Sequence, residues 1–409
     1  MHPMVKPALR RGWRDLNTVQ FGMTPAHAMT LGPMDTATGS FLDLLNGTRG
    51  VDLLRTEGRR MRLPDEHVDA LVARLARAGL LDDARGGGAP GAELRRRKET
   101  LDRLRPDLAS LSLTTSEPGD AIHRLAARGS LRVQVRGAGR VGAVLAALLA
   151  GAGVCEVDVC DGGRVEPWDV APGGLPAEAV GERRDEAARR AVRRAAPAGQ
   201  ARRGPKAPPA DAEPGRSLVI LAPRDDVSVH APVPSAAEPL IASGTPHLYA
   251  GVVEGTGVVG PLVLPGETSC AGCLEEGRAD RDPVWPRLVA QWRSGGGRAR
   301  PVPACDLALA TTVAGLAAAH ALAFLDGRTP SSAGVRWEVS LPGLTWHARP
   351  VWAHPGCPCG AAGKSARKGK EGHTPTDGEA HETMAEQRPS RTSRRQVGAR
   401  PAGTWRAHV

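Results

Sequence analysis

The clearest apolar pattern in this chain lies between Leu131 and Asp161. Leu131–Val135 is a short β-type run, and Val141, Val144, Leu145, Leu148 and Leu149 then recur at the spacing of one helix face. Val154–Cys160 follows as a second apolar run. The pattern predicts strand, helix, strand. Further along, Ser217–Ala222, Pro246–Val253 and Gly260–Val263 predict more strands, and an Arg-rich helix is expected from about Glu182 to Ala196. Strands alternating with helices over 108–360 predict an α/β fold, a Rossmann-like doubly wound sheet with ligands at the carboxyl ends of its strands.

The first 85 residues carry a different pattern. Thr18–Phe21 and Ala28–Leu31 read as strands around a Thr24-Pro25 turn. Phe41, Leu44 and Leu45 fit a short helix, as do Val51–Leu54. After Pro64, residues Val68, Leu71, Val72 and Leu75 share a helix face; Gly79 ends it and Leu80-Leu81 opens a strand. This is a small winged-helix-like unit. Its last helix sets Arg74 and Arg77 beside Asp65, Glu66 and Asp69, a poor surface for phosphates. A peptide along its strand edge, or a packing or dimerisation role, suits it better. The run RGGGAPGAELRR and the rest of 86–107 predict a linker, Ala198–Gly215 a Pro/Ala-rich surface excursion, and 361–409 a disordered basic tail.

Composition narrows the functions. A chain of 409 residues is expected to hold two ordered domains plus tails. The net charge is +10, but from Ala361 onward ten Lys/Arg face five Asp/Glu, so half the excess lies in the tail. Aromatics are only 3%, which leaves little for bases to stack on, so nucleic-acid binding is disfavoured. The N-terminus MHPMVKPALRRGW has no apolar core of a secretory signal. Leu307–Leu325 is Ala-rich, with Thr311, Thr312 and His320, and reads as a buried helix rather than a membrane span. A cytoplasmic, reducing setting follows, so the seven cysteines are expected to be thiols or metal ligands.

Two constellations carry chemistry. Gly137-Ala-Gly139-Arg-Val-Gly142 joins the first strand to the helix, and Asp161 stands nineteen residues after Gly142. Such a turn lets backbone approach a phosphate at a helix N-terminus, while the acid can accept from a ribose hydroxyl. Cys270-x-x-Cys273 and Cys357-x-Cys359 are the second: two thiolate pairs that predict a closed, structural zinc site, with His354 as a substitute ligand. Cys155 and Cys160 read as core residues. Cys305 opens the Ala-rich helix, where a thiol is either packed or activated.

Taken together, GAGRVG, the strand ending VDVCD, a later strand followed by Asp225-Asp226, and the cysteine pairs resemble the ThiF/MoeB/HesA family over about residues 110–360. These are ubiquitin-activating-enzyme-like adenylyltransferases. The resemblance implies ATP with magnesium and a carrier protein or peptide whose C-terminal carboxylate becomes an acyl adenylate. It implies that Gly137, Gly139 and Gly142 cradle phosphates, that Asp161 holds the ribose, and that Asp225 is the magnesium-associated acid. Arg184 falls where the family has a phosphate-facing Lys. It also implies a homodimer.

The chain departs from the family after the second strand: the second Asp is Gly163, the Asn is Asp169, and the phosphate-binding Arg is Pro172. The runs DVAPGGLPAEAVG, RADRDPVWPRL (with Arg278, Asp282 and Trp285) and WAHPGCPCG are similar to ThiF-like proteins of azole-forming (TOMM) peptide pathways. That branch implies a second function. There the N-terminal unit resembles a leader-peptide recognition element, and the protein acts as a scaffold that hands a ribosomal precursor peptide to a YcaO-type cyclodehydratase. An NAD(P)-dependent oxidoreductase is a third reading of the same glycine turn, opposed by the cysteine pairs and Asp225-Asp226.

Overall fold

The computed structural model describes residues 1–197, 216–294, 302 and 304–363. The excursion read at 198–215 and the tail from 364 lie outside the described residues.

The chain opens with β1 (Pro3–Val5), β2 (Arg11–Trp13), β3 (Val19–Phe21) and β4 (Met29–Leu31), then α1 (Thr36–Phe41), α2 (Val51–Arg60), α3 (Asp65–Arg77) and β5 (Leu81–Asp83). Strands β2, β3 and β4 form an antiparallel sheet in that order, and β1 pairs with β5. Two of these strands, β1 and β2, are absent from the sequence reading. Each has three residues, and with Pro3 and Gly12 in them neither carries an apolar alternation. Phe21, Phe41, Leu54, Val68 and Leu75 are fully buried in one cluster, each worth roughly 1.5–3 kcal/mol of transfer free energy.

Residues 86–107, read as a linker, are instead largely helical: α4 (Gly88–Arg96) and α5 (Lys98–Leu113), followed by α6 (Asp120–Ala127). Leu94, Leu104 and Leu111 pack on Ala121, Ile122 and Leu125 and supply the core that a linker lacks. Glycine makes this junction close. A Cβ on Gly119 would stand 2.8 Å from Gly87 N, and one on Gly86 would stand 2.8 Å from Gly119 Cα. Asp82 accepts from Gly119 N at 2.7 Å, and the buried Lys6 ammonium donates to Thr115 O at 2.6 Å. The N-terminal unit is therefore clasped to the rest of the chain.

The α/β body follows as β6 (Arg132–Arg136), α7 (Arg140–Gly151), β7 (Glu156–Cys160), α8 (Arg184–Ala195), β8 (Leu218–Leu221), α9 (Asp226–His230), α10 (Glu238–Ala242), β9 (His247–Val253) and β10 (Thr256–Val263). It ends in α11 (Ala271–Arg281), α12 (Trp285–Ser294), α13 (Leu307–Leu325), β11 (Val335–Ser340) and β12 (Trp346–Pro350). Seven strands pair in the order β12-β11-β10-β9-β8-β6-β7. The β7-β6-β8-β9 half is parallel, as a Rossmann-like sheet requires. The other half is an antiparallel meander, so the sheet is mixed. Its cause is local: β9 and β10 are joined by Glu254-Gly255 alone, both at positive φ, a two-residue hairpin turn that leaves no room for a crossover. Helices α7, α8 and α13 pack together over the main core. Helix α13 is apolar and long enough to cross a membrane, yet it lies against α7, β9 and β10.

Candidate functional site

Strand β6 has β7 on one side and β8 on the other, so connections leave it in opposite directions. The crevice at such a switch point, at the carboxyl ends of the strands, is where this class of sheet takes its ligands. Here it is walled by the glycine turn after β6 and by Ala222–Asp225 after β8. A cavity of about 130 Å³ lies there, lined by Gly139–Gly142, Trp168, Asp169, Arg224 and Cys305 among others.

The three glycines have separate duties. Gly137 has φ 108°, and a Cβ on it would stand 2.0 Å from Ala222 O, so only glycine lets the turn pass β8. A Cβ on Gly142 would stand 2.1 Å from Gly137 O, which fixes α7 against the turn. At Gly139 the obstacle would be Arg224 Cγ at 2.7 Å. No side chain caps α7. Its first-turn N–H groups, orphaned by helix geometry, belong to the residues lining the cavity. The Arg140 guanidinium donates to Cys305 O at 2.8 Å, while its Nε is buried and meets no acceptor among the described residues. That donor set fits a phosphate group.

Around this seat runs a closed network of charges. Asp161 Oδ2 accepts from Ala138 N at 2.9 Å, and Oδ1 accepts from Gly163 N at 2.9 Å and Arg184 Nη1 at 2.7 Å. Arg184 is buried and also donates through Nε and Nη2 to Arg164 O at 3.1 and 2.6 Å. Its Nε stands 3.2 Å from Asp169 Oδ2. Asp169, 2% exposed, is bound a second time by Arg224 Nε at 2.7 Å, and Arg224 Nη2 closes the chain on Glu166. Burial works against the Arg224 charge, but the hydrogen bonds and charges of Glu166 and Asp169 outweigh it and hold its pKa above the ordinary value.

The sequence reading gave these residues separate tasks; the structure interlocks them. Arg184 faces carboxylates rather than an open phosphate seat. Asp161 orders the glycine turn through Ala138 N and Gly163 N. Gly163 is explained by Arg184: a Cβ there would stand 2.4 Å from Arg184 Nη2. Asp169, in place of the expected Asn, is balanced by two guanidinium groups, and Pro172 is exposed. Asp225 is exposed and caps α9, accepting from Val227 N at 3.3 Å and Ser228 Oγ at 2.7 Å. Arg224 and Arg140 were missed, since no spacing rule singles out an arginine beside a motif. Cys305 lines the cavity with its thiol pushed up by burial, which Arg140 opposes.

Arg278, Asp282 and Trp285, from the run RADRDPVWPRL, take structural posts beside α9 and α12. Arg278 donates to His230 O at 2.7 Å and stacks 4.7 Å over the Trp285 ring. Arg336 donates to Val229 O and His230 O. These cations sit on the last carbonyls of α9 and so hold the short helix that Asp225 caps. Asp282 caps the entrance to α12, accepting from Val284 N at 3.0 Å. His230 packs edge-on against Trp285 and Trp292, and burial lowers its pKa to about 4, with Arg278 and Arg336 adding to the effect.

The cysteines converge as the spacing predicts. Cys270 and Cys273 open α11, while Cys357 and Cys359 arrive from the loop after β12. Cys270 Sγ lies 3.5 Å from Cys357 Sγ, Cys273 Sγ lies 3.5 Å from Cys359 Sγ, and all four sulfurs fall within 4.8 Å of one another. Sulfurs about 2.3 Å from a tetrahedral ion stand about 3.8 Å apart, so the group fits a metal ion. Donation to Cys273 and burial push the Cys270 thiol up; accepting that bond holds Cys273 down at about 4. His354 turns instead to Asp280 at 2.8 Å.

Comparison with known proteins places this architecture. The ThiF family model matches residues 123–359. No curated protein sequence matches the chain. Among solved structures, E. coli MccB with ATP superposes with a TM-score of 0.61 at 13% identity, over 88% of this chain and 99% of that one. The microcin C7 biosynthetic enzyme MccB in complex with N-formylated MccA gives 0.61 at 13%, over 88% and 100%. The heterocyclase TruD gives 0.57 at 19%, over 90% of this chain and 44% of that one. At such identities the likeness is one of fold, and it extends through the N-terminal unit. Matched by the family model over more than half its length, the chain belongs to the ThiF family.

Proposed function

We propose that this chain is an ATP-dependent adenylyltransferase that activates the C-terminal carboxylate of a peptide or small carrier protein. The observation that carries this reading is the uncapped N-terminus of α7, which opens with the unpartnered Arg140 Nε on the switch-point cavity. In the reaction a carboxylate oxygen bonds to the α-phosphorus of ATP and the bond to the β-phosphate breaks, releasing pyrophosphate. The α7 N–H groups and Arg140 would bind the phosphates, Asp161 the ribose, and Asp225 the magnesium ion. Trp168 and the apolar lining would keep water from the activated acyl group. The four cysteines would hold zinc as a structural ion, and the protein would work in the cytoplasm as a homodimer. That MccB has been solved both with ATP and with the peptide MccA supports a peptide as acceptor. ATP–pyrophosphate exchange with magnesium and candidate peptides tests the reading. Exchange is expected in the wild type and lost in Asp225→Ala; no exchange with any acceptor would defeat it.

A second reading is favoured by one observation, the charge network closed by Arg224. On that reading the phosphate seat is locked, and the protein is a scaffold that binds a precursor leader on its N-terminal sheet and presents it to a YcaO-type cyclodehydratase. Micromolar leader binding by the full chain, unaffected by Asp225→Ala and without any exchange, would select it.

A further inference from the structure

We infer that Arg224 is a second phosphate-binding arginine of this chain, beside Arg140, and that its guanidinium leaves Glu166 and Asp169 for the phosphates of a nucleotide seated at α7. The inference rests on the adenylyltransferase reading.

The residue at 172, where the ThiF pattern places an arginine, is an exposed proline, so the charge must come from another wall of the cavity. Arg184 cannot supply it. All three of its nitrogens are engaged, and its withdrawal would strand Asp161 without a cation, at a cost of several kcal/mol. Arg140 is tied to Cys305 O through Nη1 and holds Nε ready beside α7, so it is a donor already in place rather than a substitute for the one missing at 172.

Arg224 meets the requirements. Its side chain lies directly on Gly139, where a Cβ would touch its Cγ, and it lines the same cavity as the α7 N-terminus. It can also leave without stranding its partners. Asp169 would keep Arg184 at 3.2 Å and the backbone N–H of Glu166 at 3.0 Å. Glu166, whose side chain is 41% exposed, would return to water. A guanidinium held between two acids, one solvated and one otherwise paired, is thus poised to trade them for a more highly charged anion that accepts bidentately.

Calorimetric titration of the full-length, metal-loaded protein with MgATP at fixed ionic strength tests this. Arg224→Ala is expected to weaken binding roughly tenfold to a hundredfold, the loss of one charge-assisted contact. Arg224→Lys should fall between the two and serves if the alanine variant does not fold. Glu166→Gln removes the competing negative charge and should tighten binding roughly two- to fivefold. Arg224→Ala binding as well as the wild type, or better, would overturn the inference while leaving the adenylyltransferase reading intact, because Arg224 would then be a strut or a plug. A wild type without affinity for MgATP defeats that reading, and the role of Arg224 with it.

Discussion

The sulfur cluster and the glycine-turn site are both assembled from segments far apart in the chain, but they differ in what they lack. At the turn each acid has a cationic partner inside the protein: Asp161 with Arg184, Asp169 with Arg184 and Arg224, Glu166 with Arg224. At the cluster four sulfurs crowd together with backbone N–H groups and one another as their partners, and no cation among the described residues balances them. The acids of the first site are all paired, so a ligand that draws on their arginines must compete with them; the second site is complete only around a cation. Completeness of charge, rather than the presence of a motif, separates a site that must be opened from one that must be filled.

The contrast breaks most severely at the cluster. Chelation, or Cys273→Ser, should release the metal and destabilise the chain by on the order of 3–5 kcal/mol, because metal binding here is folding free energy. Thermal melts alongside metal analysis would check it; release of metal without a change in melting would make the cluster dispensable. At the turn, Arg184→Ala should cost about 3–5 kcal/mol by leaving Asp161 and half of Asp169 as buried, unpaired charge. Urea denaturation measures this, and a loss below about 1 kcal/mol would show the network to be solvated rather than closed.

The smallest effect concerns the bridge between the two sites. Helix α9 is capped by Asp225 and ends at His230, under Arg278 of the helix that opens with the cysteines. Burial, first, and the neighbouring arginines hold the folded His230 pKa at about 4, against 6.5 for a free histidine. Between those values the unfolded chain binds a proton that the folded chain refuses. Stability should therefore be full above pH 6.5 and fall by about 1–2 kcal/mol toward pH 4, allowing for screening of this half-buried ring. His230→Gln should flatten that limb of a plot of melting temperature against pH.

Much of this was legible in the sequence because the relevant signals are local. The β6–α7–β7 unit announces itself by period and glycine spacing, and the cysteine pairs by their separations. The failures have physical causes too. Residues 86–107 look like a linker because Gly86–Gly88, Pro90 and Pro106 punctuate them, yet Pro90 sits in the first turn of α4, where its missing N–H costs nothing. The antiparallel half of the sheet hinges on a two-residue turn with Glu254, not Asn or Asp, ahead of its glycine. The roles of Arg184 and Arg224 depend on partners up to 58 residues away, and no window along the chain contains them.

The clasp of Gly86, Gly87 and Gly119 has a geometric corollary. With Lys6 and Asp82 it makes the N-terminal sheet a fixed post rather than a tethered hand. A peptide gripped there in extended form would advance about 3.3 Å per residue, so only one span of residues would bring its far end to the cavity. The fold would then act as a ruler, measuring substrates by length before any chemistry examines their sequence.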